Sequence, residues 1–393
     1  MSTHTGRLRE EGYCLMGWRE FAGRLAAEVA PAGSRWRGAV GSIPRHPFVP
    51  RWWARTPEGW RLRVGADDPG AWHRAAYRDW TLVTRVGDVH ADRAGPGAVL
   101  QGSATSSSTL PGLLVQMFRH ACLDDSPTVL DVGTGTGYGT ALLCHRVGDT
   151  RVTAIDVDPY LTAAAEQRLH EHGLRPRLLT ADATGPIDWE GDRIVATVAV
   201  RPIPPSWLAA LTPDGRLVTT IAGTSLIVTA DKQPDGGAVG RVEHDRAAFM
   251  RSRAGVDYPA RDSSVLERAR LEDGEQVEGS PYPVMDVVNG WDVATMLDLA
   301  APGIEHRFTT DEAGAGRVAL MAHGDGSWAR AEERDGEVTV HQGGPRRLYD
   351  LLDQVREHWL RAGELPIRGA TATISPEGEI TLRRGTWTAA IGR

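Results

Sequence analysis

Between Thr128 and Val228 short apolar runs alternate with helical stretches: TVLDVG, TALLCHRV, RVTAIDV, YLTAAAEQRLHEHG, RLLTAD, DRIVATVAV, WLAALTPDG and RLVTTIAG. Apolar strands of this kind have two faces to cover, and the helices between them do the covering. The repetition therefore predicts a parallel sheet with helices on both sides. The chain has 393 residues, more than one compact core organises, so further units are expected around this one. The expected division is an N-terminal segment over 1–110, the α/β unit over 111–230, and a C-terminal α+β domain over 231–393, beginning where the composition shifts towards Gly, Asp and Arg.

The flanks carry their own signals. Leu15, Trp18, Phe21, Leu25 and Val29 recur at spacings of three and four, which predicts an amphipathic helix. GSIPRHPFVPRWW, Gly41–Trp53, has three prolines among large apolar groups and reads as an ordered extended segment. Trp52 and Trp53 within it are either core anchors or a peptide-binding surface. Thr81–Val86 reads as a short strand. SATSSSTLP, Ser103–Pro111, reads as a helix entry with Ser or Thr as the cap and Pro in the first turn. The same hydroxyls are alternatively a substrate loop, offering donors to a carboxylate. Just past residue 230, QPDGGA reads as a hairpin or loop. Leu348, Leu351, Leu352, Val355 and Trp359 share a helical face capped by Gly363, and two strands meet at a Ser375–Gly378 turn.

Composition narrows the class. Hydrophobic residues make up 41% and charged residues 24%, ordinary for a globular chain. The net charge of −7 and the lack of a basic run with aromatics argue against a nucleic-acid partner. No apolar run is long enough to span a bilayer, and MSTHTGRLREEG lacks a signal-peptide core, so no membrane partner and a cytoplasmic location are expected. Cys14, Cys122 and Cys144 lie far apart without a CxxC pair, so neither a disulfide framework nor a metal site is expected.

The strand VLDVG leads through glycines into a helix near Tyr138, an arrangement that binds nucleotides at the strand's carboxyl edge. A dinucleotide fingerprint needs G-x-G-x-x-G. From Gly133 the sixth residue is Tyr138, and from Gly135 it is Thr140, so neither register suits NAD. S-adenosylmethionine has no pyrophosphate to cradle, and Asp131, Asp156 and Asp182 follow three successive strands. Asp131 would face its ammonium group, Asp156 its ribose hydroxyls in bidentate fashion, and Asp182 its adenine amino group. As turn residues or caps the same aspartates would be structural. The candidate cofactor contacts are Asp131, Gly133, Thr134, Gly135, Gly137, Tyr138, Asp156 with Val157, and Asp182 with Ala183, with S-adenosylhomocysteine as the product and no metal.

With that core placed, the chain resembles the protein-L-isoaspartate (D-aspartate) O-methyltransferase family over about residues 36–225. The resemblance rests on IPRHPFVP (Ile43–Pro50), AYRD (Ala76–Asp79), TSSSTLP (Thr105–Pro111), VLDVGTGTGYGTALL (Val129–Leu143) and VAVRPIPPSWLAALTPDGRLV (Val198–Val218). It implies a Rossmann-like class I S-adenosylmethionine methyltransferase core with an N-terminal helical and extended segment and an additional C-terminal α+β domain. In the family a T-I-S-x-P loop contacts the substrate carboxylate. With its proline matched to Pro111, the serine falls on Thr109 and the threonine on Ser107, so this chain carries an extra methyl at the key position. Family members are usually shorter. The long arrangement resembles the subfamily tied to ribosomal-peptide maturation, in lanthipeptide and ATP-grasp (graspetide) pathways. That resemblance implies a modified precursor peptide as partner, methylated on one aspartate, the ester leading to a succinimide (aspartimide) or isoaspartate. General repair of isoaspartyl damage is the alternative, and a non-catalytic binding protein a third. A monomer or a homodimer is expected.

A carboxyl group with an ordinary pKa of about 3.9 is already anionic at neutral pH, so no general base is needed. Alignment is what catalysis requires, and Thr109, Ser108 and Ser107 are the candidate orienting residues. The C-terminal unit would select the peptide, or else cover the sheet edge or form a dimer contact.

Overall fold

The computed structural model describes residues 17–124, 127–254, 264–310 and 316–392; Cys14 and Leu15 lie outside them. The amphipathic stripe forms α1 (Trp18–Val29), which buries Phe21 and Leu25. After α2 (Trp36–Ser42) the segment expected to be extended instead makes a 3-10 turn at His46–Phe48 before entering β1 (Arg51–Thr56). The turn aims Arg45 inward, where its guanidinium binds five backbone carbonyls. Then come β2 (Gly59–Val64), α3 (Pro69–Ala76), β3 (Leu82–Val86), β4 (Val89–His90), β5 (Val99–Leu100) and β6 (Ala104–Ser108). These six strands form an antiparallel sheet ordered β4-β3-β1-β2-β5, with β6 also paired to β3. Trp52 and Trp53 are 7% and 2% exposed, which makes them core anchors and removes them as a peptide surface.

The hydroxyl run is thus mainly a strand, not a helix cap. Helix α4 (Pro111–His120) does begin with proline in its first turn, but no side chain at Leu110 caps it. The N–H of Gly112 donates to Asp79 Oδ1 at 2.7 Å instead. A distant carboxylate has taken the capping role, leaving the hydroxyls of the run for other partners.

The alternating region follows as β7 (Val129–Val132), α5 (Tyr138–Val147), β8 (Val152–Asp156), α6 (Pro159–Glu171), β9 (Arg177–Thr180), β10 (Gly191–Val200), α7 (Pro205–Ala210) and β11 (Leu211–Ile221). The five strands are parallel in the order β9-β8-β7-β10-β11. All four residues of β7 are buried, as expected for a central strand covered on both faces. The chain winds one way from β7 and then the other from β10, a Rossmann-like arrangement whose crevice opens between those two carboxyl ends.

The sheet does not stop at residue 230. Strand β12 (Leu226–Lys232) crosses that position, antiparallel to β11, and β13 (Ala238–Arg246) continues outward from it. Beyond lie α8 (Ser264–Leu271), β14 (Gln276–Gly279), α9 (Trp291–Ala300), β15 (Glu305–Thr310), β16 (Arg317–Ala322), β17 (Trp328–Arg334), β18 (Glu337–Gly343) and α10 (Leu348–Arg361). Strands β14–β18 make a separate five-stranded sheet. The chain then returns as β19 (Thr371–Ile374), β20 (Ile380–Arg384) and β21 (Trp387–Ile391), which complete a ten-stranded central sheet. Helix α9 joins the two sheets: Met296 and Leu299 pack in the central core with Val228 and Leu382, while Val293 and Leu297 pack in the smaller one. Among the described residues no helix is long and apolar enough to cross a membrane.

This continuity generates a prediction. Residues 17–230 expressed alone should be insoluble or molten, because they expose β12, whose Val228 and Ala230 are fully buried in the whole chain. Solubility and near-ultraviolet circular dichroism check it. A monomeric, cooperatively folding fragment would show that the strands after residue 230 are dispensable.

Candidate active site

A cavity of about 220 Å³ lies at the carboxyl ends of β7, β8 and β10, facing β6. Gly133 and Gly135 form its floor with φ of +91° and +53°, a region that side chains resist. A Cβ on Gly133 would sit 2.8 Å from Val198, and one on Gly135 would come within 3.4 Å of the Ser107 carbonyl. The loop therefore passes close beneath the hydroxyl strand only because it carries no side chains there.

Asp156, the last residue of β8, accepts the Gly135 N–H at 3.0 Å on one oxygen and the Asp158 N–H at 3.1 Å on the other. These bonds fix both oxygens at the cavity wall and leave each lone pairs for a further donor. Burial raises its pKa, partly opposed by the two N–H donors. Asp182 lines the same wall two residues beyond β9. Its Oδ1 accepts from the N–H and hydroxyl of Thr184, so it is also a turn residue. Val157 and Ala183 flank these acids in the cavity lining.

The structure does not bring all the expected cofactor contacts together. Asp131 is 2% exposed and does not line the cavity. It accepts from Thr140 Oγ1 at 2.6 Å, and Thr140 shares a second 2.6 Å bond with Thr134. Asp131 and Thr134 thus support the loop from below. Gly137, with φ of +91°, starts α5, and a Cβ there would press on Ala165 at 3.1 Å. Tyr138 is buried under the Arg45 guanidinium, 5.7 Å from its ring centroid.

Ser107 and Thr109 face the cavity, whereas Ser108 does not line it and is buried, as strand alternation requires. Among the described residues no hydrogen bond engages the Ser107 or Thr109 side chain, so both hydroxyls stand ready for a ligand. Their backbone is held from behind. Arg45 Nη2 donates to the carbonyls of Ser108 at 3.2 Å and Thr109 at 3.1 Å, and its other bonds reach Ala76, Arg78 and Trp80. Burial lowers this guanidinium to about 10, so it remains charged at neutral pH.

Several lining residues had no signal in the sequence reading. Thr81 enters just before β3, Thr197 from within the last half of β10, and Leu161 from α6. The segment Ala248–Arg253, just past β13, makes a whole further wall. It is tied to the central sheet by the Ala199 N–H to Met250 carbonyl and the Ser252 N–H to Ala199 carbonyl, both 2.8 Å. Only the tertiary return of the chain puts it there.

The donor set suits S-adenosylmethionine. Glycines leave a cradle that any Cβ would fill, a carboxylate with spare lone pairs matches vicinal ribose hydroxyls, and Val157, Leu161 and Ala183 offer an apolar slot for a base. Among the described residues no cluster of His, Cys, Asp and Glu could hold a metal ion.

The buried Asp131 generates a prediction. Burial pushes its carboxyl up to about 6. An acid whose folded pKa exceeds its unfolded one binds more protons when folded, so its contribution to stability falls as pH rises from about 4 to 6. Asp131→Asn keeps an acceptor for Thr140 and removes the buried charge. The variant should gain stability on the order of 2 kcal/mol over wild type at pH 7, and the gain should vanish near pH 4. Denaturant melts at both pH values check it; equal gains at both would contradict it.

The family model described as Protein-L-isoaspartate(D-aspartate) O-methyltransferase (PCMT) matches residues 89–250. A Protein-L-isoaspartate O-methyltransferase 1 from Anaeromyxobacter sp. (strain Fw109-5) is 32% identical over 194 residues, 45% of this chain and 90% of that protein. A Protein-L-isoaspartate O-methyltransferase from Bordetella parapertussis is 28% identical over 249 residues, 60% of this chain and 95% of its own. A solved protein-L-isoaspartate O-methyltransferase covers 95% of this chain with a TM-score of 0.47 at 17% identity. Because nearly the whole of a relative is spanned at 32% identity, the chain belongs to the protein-L-isoaspartate O-methyltransferase family.

Proposed function

We propose that this chain transfers a methyl group from S-adenosylmethionine to a carboxylate of isoaspartyl residues in proteins and peptides. The observation that carries the reading is the placement of two unengaged hydroxyls, Ser107 and Thr109, across one cavity from the Asp156 carboxylate and the glycine loop. S-adenosylmethionine supplies an electrophilic methyl group. The protein's residues bind, align and exclude water. Asp156 accepts from the ribose, Gly133 and Gly135 admit the amino-acid portion, and Ser107 and Thr109 orient the incoming carboxylate by hydrogen bonds. Hydroxyls suit this task, since a direct arginine pair would stabilise the nucleophile more and slow its attack. Leu110, Leu113 and Phe249 line the cavity and keep water from it.

A second reading, a dedicated peptide substrate of the ribosomal-peptide kind, is favoured by one observation. The Anaeromyxobacter relative is almost fully spanned by 45% of this chain, and residues beyond the family match furnish Arg251–Arg253 of the cavity wall. In that reading the domain over 231–393 selects the peptide, and the methyl ester is attacked by the next backbone nitrogen, releasing methanol and closing a succinimide.

Methyl transfer from labelled S-adenosylmethionine to a short isoaspartyl peptide and to its aspartyl isomer tests both readings. Label on the isoaspartyl form alone supports the first. Label on neither, with ester or succinimide on a constrained aspartyl peptide, supports the second. Asp156→Ala should abolish cofactor binding by calorimetry, whereas Thr109→Ala should retain binding and lower turnover by roughly a hundredfold. The reverse pattern would overturn these roles.

A further inference from the structure

The antiparallel sheet reaches the cofactor side of the molecule through a stretch that does not line the cavity. His90 ends β4 and is 7% exposed. Its Nε2 lies 3.0 Å from Asp158 Oδ2, at the entry to α6. A carboxylate only accepts, so the ring carries a proton on Nε2. Nδ1 is buried without a hydrogen-bond partner among the described residues, which makes the Nε2 bond the polar grip of this ring. The ring also packs on that of Tyr160, with centroids 4.3 Å apart. Two residues on, Asp92 accepts the Tyr160 hydroxyl at 2.9 Å and Arg168 Nη2 at 2.6 Å, both from α6.

Asp158 is the pivot between this clamp and the site. Its Oδ1 accepts the Tyr160 N–H at 3.0 Å and so caps α6, while its Oδ2 faces His90. Its own N–H donates to Asp156 Oδ1 at 3.1 Å. Burial alone would raise the Asp158 carboxyl, but the His90 hydrogen bond, the Tyr160 N–H and the charge of Arg85 hold it down at about 2. It is therefore an ionised acceptor at neutral pH. With one oxygen tied to its own helix and the other to a strand of a different sheet, the residue has a fixed orientation, and its N–H points at Asp156. A side chain tied to α6 alone could turn about that single bond and carry the N–H with it. Asp156 would then keep the Gly135 N–H on its other oxygen and lose its second fixed donor.

We infer that His90 is a positioning residue for the cofactor: acting through Asp158, it holds the Asp156 carboxylate in the orientation that grips the ribose hydroxyls. This rests on the reading of the main cavity as the S-adenosylmethionine site. A carboxylate that must meet two vicinal hydroxyls at once needs its rotamer locked by neighbours, and hydrogen bonds behind the binding group supply that lock.

Calorimetry on the full-length chain reads the affinity for S-adenosylhomocysteine and for its 2′-deoxy analogue in wild type, His90→Phe and His90→Gln. Phenylalanine keeps a ring against Tyr160 and removes the donor; glutamine keeps a donor and removes the ring. Wild type should prefer the full ribose by about tenfold or more, since the analogue leaves a buried acceptor unpaired. His90→Phe should weaken S-adenosylhomocysteine by about tenfold and leave the analogue near its wild-type affinity, so that the preference falls towards one. The KM for S-adenosylmethionine should rise by the same factor with kcat within about threefold of wild type. His90→Gln should stay close to wild type throughout. Equal weakening of both ligands, a larger loss with glutamine than with phenylalanine, or an unchanged preference in His90→Phe would overturn the role. Where phenylalanine is not tolerated in the folded chain, Asp158→Asn takes its place, since it keeps an oxygen for the Tyr160 N–H and sets an amide nitrogen against His90; the same fall in preference is expected. A wild type that binds neither ligand, or does not distinguish them, counts against the cofactor reading. Deuterium exchange over residues 157–160 then decides the tether: faster in His90→Phe but not in His90→Gln if it holds, equal in all three proteins if it does not.

Discussion

The hydroxyl-bearing wall of the cavity hangs on one buried cation. Arg45 is fully buried and makes five hydrogen bonds, all to main-chain carbonyls drawn from α3's exit, the Arg78–Trp80 link and the end of β6. Among the described residues no carboxylate forms an ion pair with it, although the charge of Asp79 favours its protonated form; carbonyl dipoles carry most of the compensation. A charge buried in this way is tolerable only while its partners are in place, since stripping a buried hydrogen-bonded ion of its partners typically costs about 3–5 kcal/mol. The penalty works in both directions. It forces three separate stretches of chain to converge, and it sets the Ser108 and Thr109 carbonyls behind the strand so that the Ser107 and Thr109 side chains point into the cavity. Asp79, one residue from two of those carbonyls, caps α4 through Gly112 and so secures the other end of the same loop.

Around that anchor the site is assembled from three parts with different jobs. The antiparallel N-terminal sheet presents the hydroxyls. The Rossmann-like sheet presents the glycine loop and Asp156, with the Asp131, Thr134 and Thr140 chain as a polar prop beneath. The strands after residue 230 widen that sheet and lead into the Ala248–Arg253 wall. Alignment of a carboxylate with a methyl donor needs positions held to a fraction of an ångström. A site walled by strands and a loop pinned at both ends meets that need better than a free loop does.

What the sequence revealed and what it concealed divide along the range of the interactions. The α/β alternation and the glycine loop are local patterns, and both stand in the structure as read. The hydroxyl run takes a shape that its sequence does not announce: SATSSSTLP carries every local mark of a helix cap, and only pairing with β3, some twenty residues earlier, makes it a strand. Its place near a strand's end marks Asp131 as a ligand in the sequence. The pleat of a fully buried strand instead turns it inward, towards Thr140. Trp52 and Trp53 were ambiguous because burial on both faces of a two-layer region leaves no alternation to read. The boundary at residue 230 followed a change in composition, yet the hydrogen-bond ladder runs through it. The arginine-bearing wall had no local mark at all, because it exists only where the chain returns to Ala199.

Hydrogen–deuterium exchange over Thr105–Gly112, compared between wild type and Arg45→Lys with S-adenosylhomocysteine bound, probes the anchor most directly. Lysine keeps the charge but cannot spread it over carbonyls from three stretches of chain. If Arg45 holds the hydroxyl strand, exchange at these amides rises by at least tenfold while the amides of β7 and β8 and the cofactor affinity stay close to wild type. Unchanged exchange over Thr105–Gly112 in a folded variant would contradict it and leave the strand positioned by its pairing with β3 alone.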